Sequence, residues 1–214
     1  MKSLYLGLRL TPHLFPHTTL VHYPLIETKC RPKEDLEVKK GIQLIRQIST
    51  HLIFTSRTTV FYLNQLIGDE LSERHLICVG KGTAKALEEK GLHASLIAYP
   101  ETAEGVVWAF KKNPPKNRDV YVWPHSSLAR TVISDYFKER ECSFYDFALY
   151  DTVPIKPSWR PNLEDYHEVI FTSPSTVDAF LQLFTNIPLK LKLTAIGPIT
   201  KSHLNNMLRE FAFY

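Results

Sequence analysis

The chain repeats itself. Residues 52–60 (Leu-Ile-Phe-Thr-Ser-Arg-Thr-Thr-Val) resemble residues 169–177 (Val-Ile-Phe-Thr-Ser-Pro-Ser-Thr-Val), and residues 79–83 resemble residues 196–200. Both pairs share one offset of 117, which places Phe54 against Phe171 and Gly80 against Gly197. Across the forty gapless positions from 52–91 against 169–208 there are twelve identities. Chance at ordinary residue frequencies gives roughly three. A repeat of this length is two copies of a domain, not a solenoid. With 214 residues, the chain has room for two modest domains and no more.

Each copy has the same grammar. Short runs of Val, Ile, Leu and Phe without alternation are expected as strands over 4–8, 20–23, 52–55, 76–79, 95–98, 120–123, 144–149, 169–172 and 193–196. Such runs suit parallel strands covered on both faces. Helical patterns fill the gaps at 58–68, 83–90, 103–112, 128–140, 175–184 and 200–209. Strand, turn, helix, strand is the signature of βαβ units. The expected fold class is α/β: two similar parallel-sheet domains joined by a two-stranded connector. Residues 26–32 and 150–157 carry the prolines that favour extended chain before them and are expected as the paired connector strands. The terminal domain would then be discontinuous (1–25 plus 158–214), with residues 33–149 inserted as the second. A chain crossing twice between domains allows a limited hinge and a ligand cleft.

Composition narrows the function classes. Hydrophobic residues at 44% and charged residues at 22% fit a packed core and exclude disorder. No apolar run reaches membrane-spanning length, and the amino-terminal stretch is broken by Arg9 and Pro12, so neither a membrane nor a signal peptide is expected. Three cysteines, Cys30, Cys78 and Cys142, stand far apart and read as reduced thiols in a cytoplasmic protein. The formal charge of +4, with no basic block, argues against nucleic acid. It is compatible with a small anionic substrate gripped by a local basic cleft.

Ligands of a parallel sheet bind at the carboxyl ends of its strands. The candidate turns there are Thr55, Ser56, Arg57 and Thr58 with their counterparts Ser173 and Ser175, and Gly80, Lys81 and Thr83 with Gly197 and Thr200. Two more are His125, Ser126 and Ser127, and Thr102. Ser and Thr cap helices, and beyond a cap the free N–H groups and the helix dipole favour an anion. Several such turns together suit a ligand with many carboxylates or phosphates, helped by Arg57, Lys81, Lys85, Arg130 and Lys201. Each turn alone is more often a simple cap, and each base a solvated charge. No P-loop, His-Glu-x-x-His or Gly-x-Ser-x-Gly motif is present, so neither cofactor nor metal is expected. A sensor that closes on a polyanion would use the same turns. A nucleotide-dependent transferase would need a glycine-rich loop after the first strand, where residues 9–13 read Arg-Leu-Thr-Pro-His.

Taken in order, six motifs resemble the uroporphyrinogen-III synthase family. They are residues 53–56 (Ile-Phe-Thr-Ser), Val79-Gly80 with Thr83-Ala84, residues 102–105 (Thr-Ala-Glu-Gly), residues 149–152 (Leu-Tyr-Asp-Thr), residues 170–175 and residues 195–200. The resemblance spans about 50–208 and implies a two-domain, cofactor-free lyase with its site in the cleft; a monomer is expected because no exposed apolar stripe is evident. Its substrate would be the linear tetrapyrrole hydroxymethylbilane, which carries eight carboxylates. The bilane would lose water and close with inversion of ring D to give uroporphyrinogen III, through a spiro intermediate. The resemblance makes Tyr150 the proton donor to the departing hydroxyl. The chain departs from the family in two places. Residues 11–19, with Pro12 and Pro16, replace a full helix, and residues 211–214 end the chain before a last strand and helix. A reduced terminal domain is therefore expected, with Arg9 as a further candidate anion contact.

Overall fold

The computed structural model describes residues 2–211, and residues 212–214 at the chain end lie outside them. The chain packs as two compact units. One is Thr28–Asp151; the other combines the residues up to Glu27 with those from Thr152 onward.

The unit Thr28–Asp151 is built on a six-stranded sheet of order β3-β8-β7-β4-β5-β6. Its strands are β3 (Ile26–Cys30), β4 (His51–Phe54), β5 (His75–Cys78), β6 (Ala94–Ile97), β7 (Tyr121–Ser126) and β8 (Phe144–Pro154). Strands β8, β7, β4, β5 and β6 run parallel, with Leu52 opposite Leu76 and Ile53 opposite Ile77. Edge strand β3 lies beside β8, where the Arg31 N–H donates to the Leu149 carbonyl at 2.9 Å. Helices α1 (Leu36–Gln47), α2 (Arg57–Ile67), α3 (Lys81–Glu88), α4 (Ala103–Lys112) and α5 (Val132–Lys138) alternate with the strands. Neighbouring strand residues point to opposite faces, so Leu52 and Phe54 join one core cluster with Val38, Leu63 and Val122. Ile53 joins another with Val106, Trp123 and Phe137. Burying each such side chain contributes about 1.5–3 kcal/mol, and both faces of the sheet are covered.

The other unit has a four-stranded parallel sheet of order β10-β9-β1-β2. Its strands are β1 (Lys2–Tyr5), β2 (Thr19–His22), β9 (Glu168–Phe171) and β10 (Lys192–Ala195), with helices α6 (Pro174–Leu183) and α7 (Pro198–Phe211). Leu4, Val169, Phe171, Val177, Phe180 and Leu204 form its core. The repeat survives folding: β4, α2, β5 and α3 each begin 117 residues before β9, α6, β10 and α7.

The α/β class and the parallel strands follow the sequence reading, and two local features differ from it. Helix α1 has no counterpart among the expected helices. Asp35 caps it by accepting the Glu37 and Val38 N–H groups at 3.0 and 3.2 Å. Gly41 lets it lie against the sheet, since a Cβ there would run into the Phe147 ring. Strand β7 runs past Trp123 through Ser126, paired with β8 as far as Tyr150, so α5 starts at Val132 rather than 128. Between β1 and β2, Pro12–Leu14 make only a 3₁₀ turn, as the prolines require.

Candidate active site

Parallel pairing sets the carboxyl ends of β8, β7, β4, β5 and β6 along one edge of their sheet. That edge carries Tyr150, Ser126, residues 55–58, residues 80–83 and Thr102. On three adjacent strands the side chains converge. The hydroxyls of Ser56 and Tyr150 share a hydrogen bond of 3.0 Å. Ser56 is also the N-cap of α2, accepting the Thr59 N–H at 3.0 Å, and its hydroxyl meets that of Thr59 at 2.9 Å. Thr59, Ser126 and Thr58 are also near enough to the Tyr150 hydroxyl to act on its titration. The Tyr150 side chain is 6% exposed. Burial pushes its phenol above the ordinary value, against the lowering effect of the Ser56, Thr59, Ser126 and Thr58 hydroxyls. The phenol is therefore a protonated donor at neutral pH.

The flanking residues are fixed by their own partners. Trp123 Nε1–H donates to Thr55 Oγ1 at 3.2 Å. His125 Nδ1–H donates to the Ser126 carbonyl at 2.8 Å, and its Nε2 stands 3.9 Å from the Asp146 carboxylate, which accepts from the Ser134 hydroxyl. Next to Tyr150, Asp151 takes a two-pronged bond from Arg31 at 3.0 and 3.1 Å. Arg31 first, then the Ser127 hydroxyl, holds the Asp151 carboxyl below its usual range.

Other expected residues are placed less openly. Thr102 caps α4, accepting the Gly105 N–H at 3.2 Å. Arg130 is clasped by Glu104 at 2.5 and 3.0 Å, which holds the Glu104 carboxyl down at about 2. The amino end of α3 is filled by the chain's own anion: Glu101 accepts the Lys81 N–H at 3.1 Å. Gly80 makes room for it, since a Cβ there would overlap the Glu101 carboxylate. The space expected for a ligand at Gly80 is thus held by Glu101. Thr83 and Thr200 are buried at 5% and 4% exposure and serve their helices from within. Arg57, Lys81, Lys85 and Lys201 are exposed.

In the four-stranded unit, Ser173 and Ser175 share a hydroxyl contact of 2.9 Å at the start of α6, and Thr176 Oγ1 accepts the Ser173 N–H at 3.3 Å. Gly197 begins α7, where the Lys201 N–H donates to its carbonyl at 2.9 Å. Thr59, Glu101 and Asp146 escaped the sequence reading. Thr59 was visible as the third residue after a Ser cap, whereas Glu101 and Asp146 reach the edge only through tertiary packing.

Among the described residues no group of three His, Cys, Asp or Glu side chains could hold a metal ion. His13 and His17, four apart in sequence, flank Pro16 at a 3₁₀ turn rather than lining a helix face. No helix among the described residues is long and apolar enough to cross a membrane.

The family described as uroporphyrinogen-III synthase HemD matches residues 18–208. No curated protein sequence matches significantly. Among solved structures, a uroporphyrinogen-III synthetase from Helicobacter pylori is similar with a TM-score of 0.67 at 17% identity, over 96% of this chain and 88% of that one. A mutant uroporphyrinogen III synthase from the extreme thermophile Thermus thermophilus gives 0.63 at 17% identity, over 99% and 89%. At this identity the structural likeness speaks for the fold.

Proposed function

The chain belongs to the uroporphyrinogen-III synthase family, and from that membership we propose how its residues close hydroxymethylbilane to uroporphyrinogen III with loss of water. The observation that carries the residue-level reading is the hydroxyl cluster of Ser56, Thr58, Thr59, Ser126 and Tyr150 on one sheet edge.

Unaided closure of the bilane gives the uninverted ring. The task is therefore to hold a flexible polyanion so that the substituted carbon of ring D meets the reactive methylene. Orientation of this kind supplies as much as about 7–11 kcal/mol. The exposed N–H groups of helix starts are suitable carboxylate grips. In this reading they lie at residues 55–58, Thr102, Ser173, Ser175 and Gly197, with the strand end at residues 125–127 as a further contact and Arg57 and Lys81 supplying charge. Residues 26–32 and 150–157 connect the two domains.

Departure of the terminal hydroxyl leaves a cationic azafulvene, and the oxygen needs a proton to leave as water. Tyr150 donates it, and the phenolate takes back the proton released when the ring closes and the pyrrole is restored, relayed through the surrounding hydroxyls. A buried phenol that keeps its proton starts the cycle as a donor and not as a base. Its effect is smaller than that of positioning, because the burial that keeps the proton on also makes it a weaker acid. The protein acts as a cytoplasmic monomer, without cofactor or nucleic acid. Isomer analysis of the product formed from hydroxymethylbilane tests the assignment, since a sensor would bind the bilane without turning it over.

A further inference from the structure

A cavity in the four-stranded unit shares no lining residue with the hydroxyl cluster. About 570 Å³ in volume, it is walled by the segment Pro154 to Arg160, by Tyr23, and by Ala179, Gln182 and Leu183 of α6. The volume falls in the range of about 300–1,000 Å³ typical of small-molecule pockets.

Its walls are fixed from beneath. Tyr23 is 1% exposed; its hydroxyl donates to the Trp159 carbonyl at 2.9 Å. Its ring meets the Trp159 indole edge-on at 4.8 Å. Arg160 donates to the Leu183 carbonyl at 2.5 Å and sits 5.0 Å over the Phe184 ring, tying the segment to the end of α6. Pro154 and Pro157 stiffen the stretch between. On α6, Ala179, Gln182 and Leu183 follow the three- and four-residue spacing of one helix face. Held in this way, Trp159 nevertheless keeps 47% of its surface open.

The charge around the cavity has one sign. Lys156 and Arg160 are among its lining residues, and no Asp or Glu is. Aromatic and aliphatic walls with cations and no carboxylate complement a molecule with a flat apolar body and a negative group. We propose that this cavity binds a flat, mainly apolar organic anion of the aromatic carboxylate or sulfonate class.

The test uses the full chain and the fluorescent probe 1-anilinonaphthalene-8-sulfonate, with uncharged N-phenyl-1-naphthylamine as its neutral counterpart. Lys156 and Gln182 are exposed, so Lys156→Glu and Gln182→Trp leave the core intact, which thermal melts will verify. Lys39→Glu lies at a different cavity, lined by Lys33, Lys39 and Arg46, and serves as the control. The expected result is one saturable sulfonate site that weakens about fivefold in Lys156→Glu, the scale of an exposed ion pair. Binding of the neutral dye should not change in that variant. Gln182→Trp should abolish binding of both dyes, and Lys39→Glu should leave both as they were. Sulfonate binding that is unsaturable, insensitive to Lys156→Glu, or weakened only by Lys39→Glu overturns the proposal. So does an equal loss of the neutral dye in Lys156→Glu.

Discussion

The hydroxyls of Ser56 and Tyr150 meet at 3.0 Å although the two residues are 94 positions apart in the chain. The contact joins the cap of α2 to the phenol on β8, so the cap and the proposed proton donor share one atom. Replacing Tyr150 by Phe removes the donor but keeps the ring in its cluster. General-acid catalysis contributes about 10²–10⁴-fold, and with positioning dominant the loss is expected below the lower figure. The rate of Tyr150→Phe in an assay coupled to bilane formation checks this. An unchanged rate removes Tyr150 from the mechanism.

Ser56 separates the two roles by charge. Ser56→Ala loses the cap and should cost about 1 kcal/mol of stability in chemical denaturation. Ser56→Asp keeps a good cap and places an anion where a substrate carboxylate is expected. The Asp variant should fold as well as the parent yet need far more bilane to reach half-maximal rate. Equal KM values would contradict a carboxylate grip at this turn.

The parts legible in the sequence were those written locally. Non-alternating strands such as Leu52–Phe54, and caps such as Ser56 and Thr102, declare themselves within a few residues. The 117-residue repeat forecast which elements would correspond. Helix α1 was hidden because Gly41 and the pair Lys39-Lys40 break the apolar rhythm of Val38, Ile42 and Ile45, and only Phe147, distant in sequence, explains the glycine. The occupation of the α3 start by Glu101 was invisible for the same reason: Gly80 reads as open space until β6 and α4 bring a carboxylate into it. Short-range patterns therefore named the turns but could not say which were already filled.

Glu101 itself offers a measurement. Its carboxylate satisfies the Lys81 N–H, a helix-start interaction of about 0.3–1 kcal/mol at an exposed site. Glu101→Ala should lower the unfolding free energy by that amount and, by vacating the α3 start, reduce the KM for bilane. A KM that rises or stays constant would show that this helix start takes no substrate carboxylate.

At the opposite edge of the same sheet, His51 stacks between His75 at 4.8 Å and Tyr121 at 4.5 Å. Burial first, then the charge of His75, lowers its pKa from the ordinary 6.5, while Asp119 works against the shift. A base whose folded pKa is depressed contributes stability that is complete above the unfolded value. That stability is lost as the pH falls through the folded one. The melting temperature should thus decline as the pH drops below about 6.5, and His51→Gln should flatten that slope. An equal slope in the two proteins would place the pH dependence elsewhere.

Freshly generated hydroxymethylbilane, given to the purified chain and followed by chromatographic separation of the uroporphyrin isomers after oxidation, addresses the central claim directly. Isomer III in excess over the spontaneous background, formed without added metal or cofactor, is the predicted result. Isomer I alone, at the rate seen without protein, would contradict it.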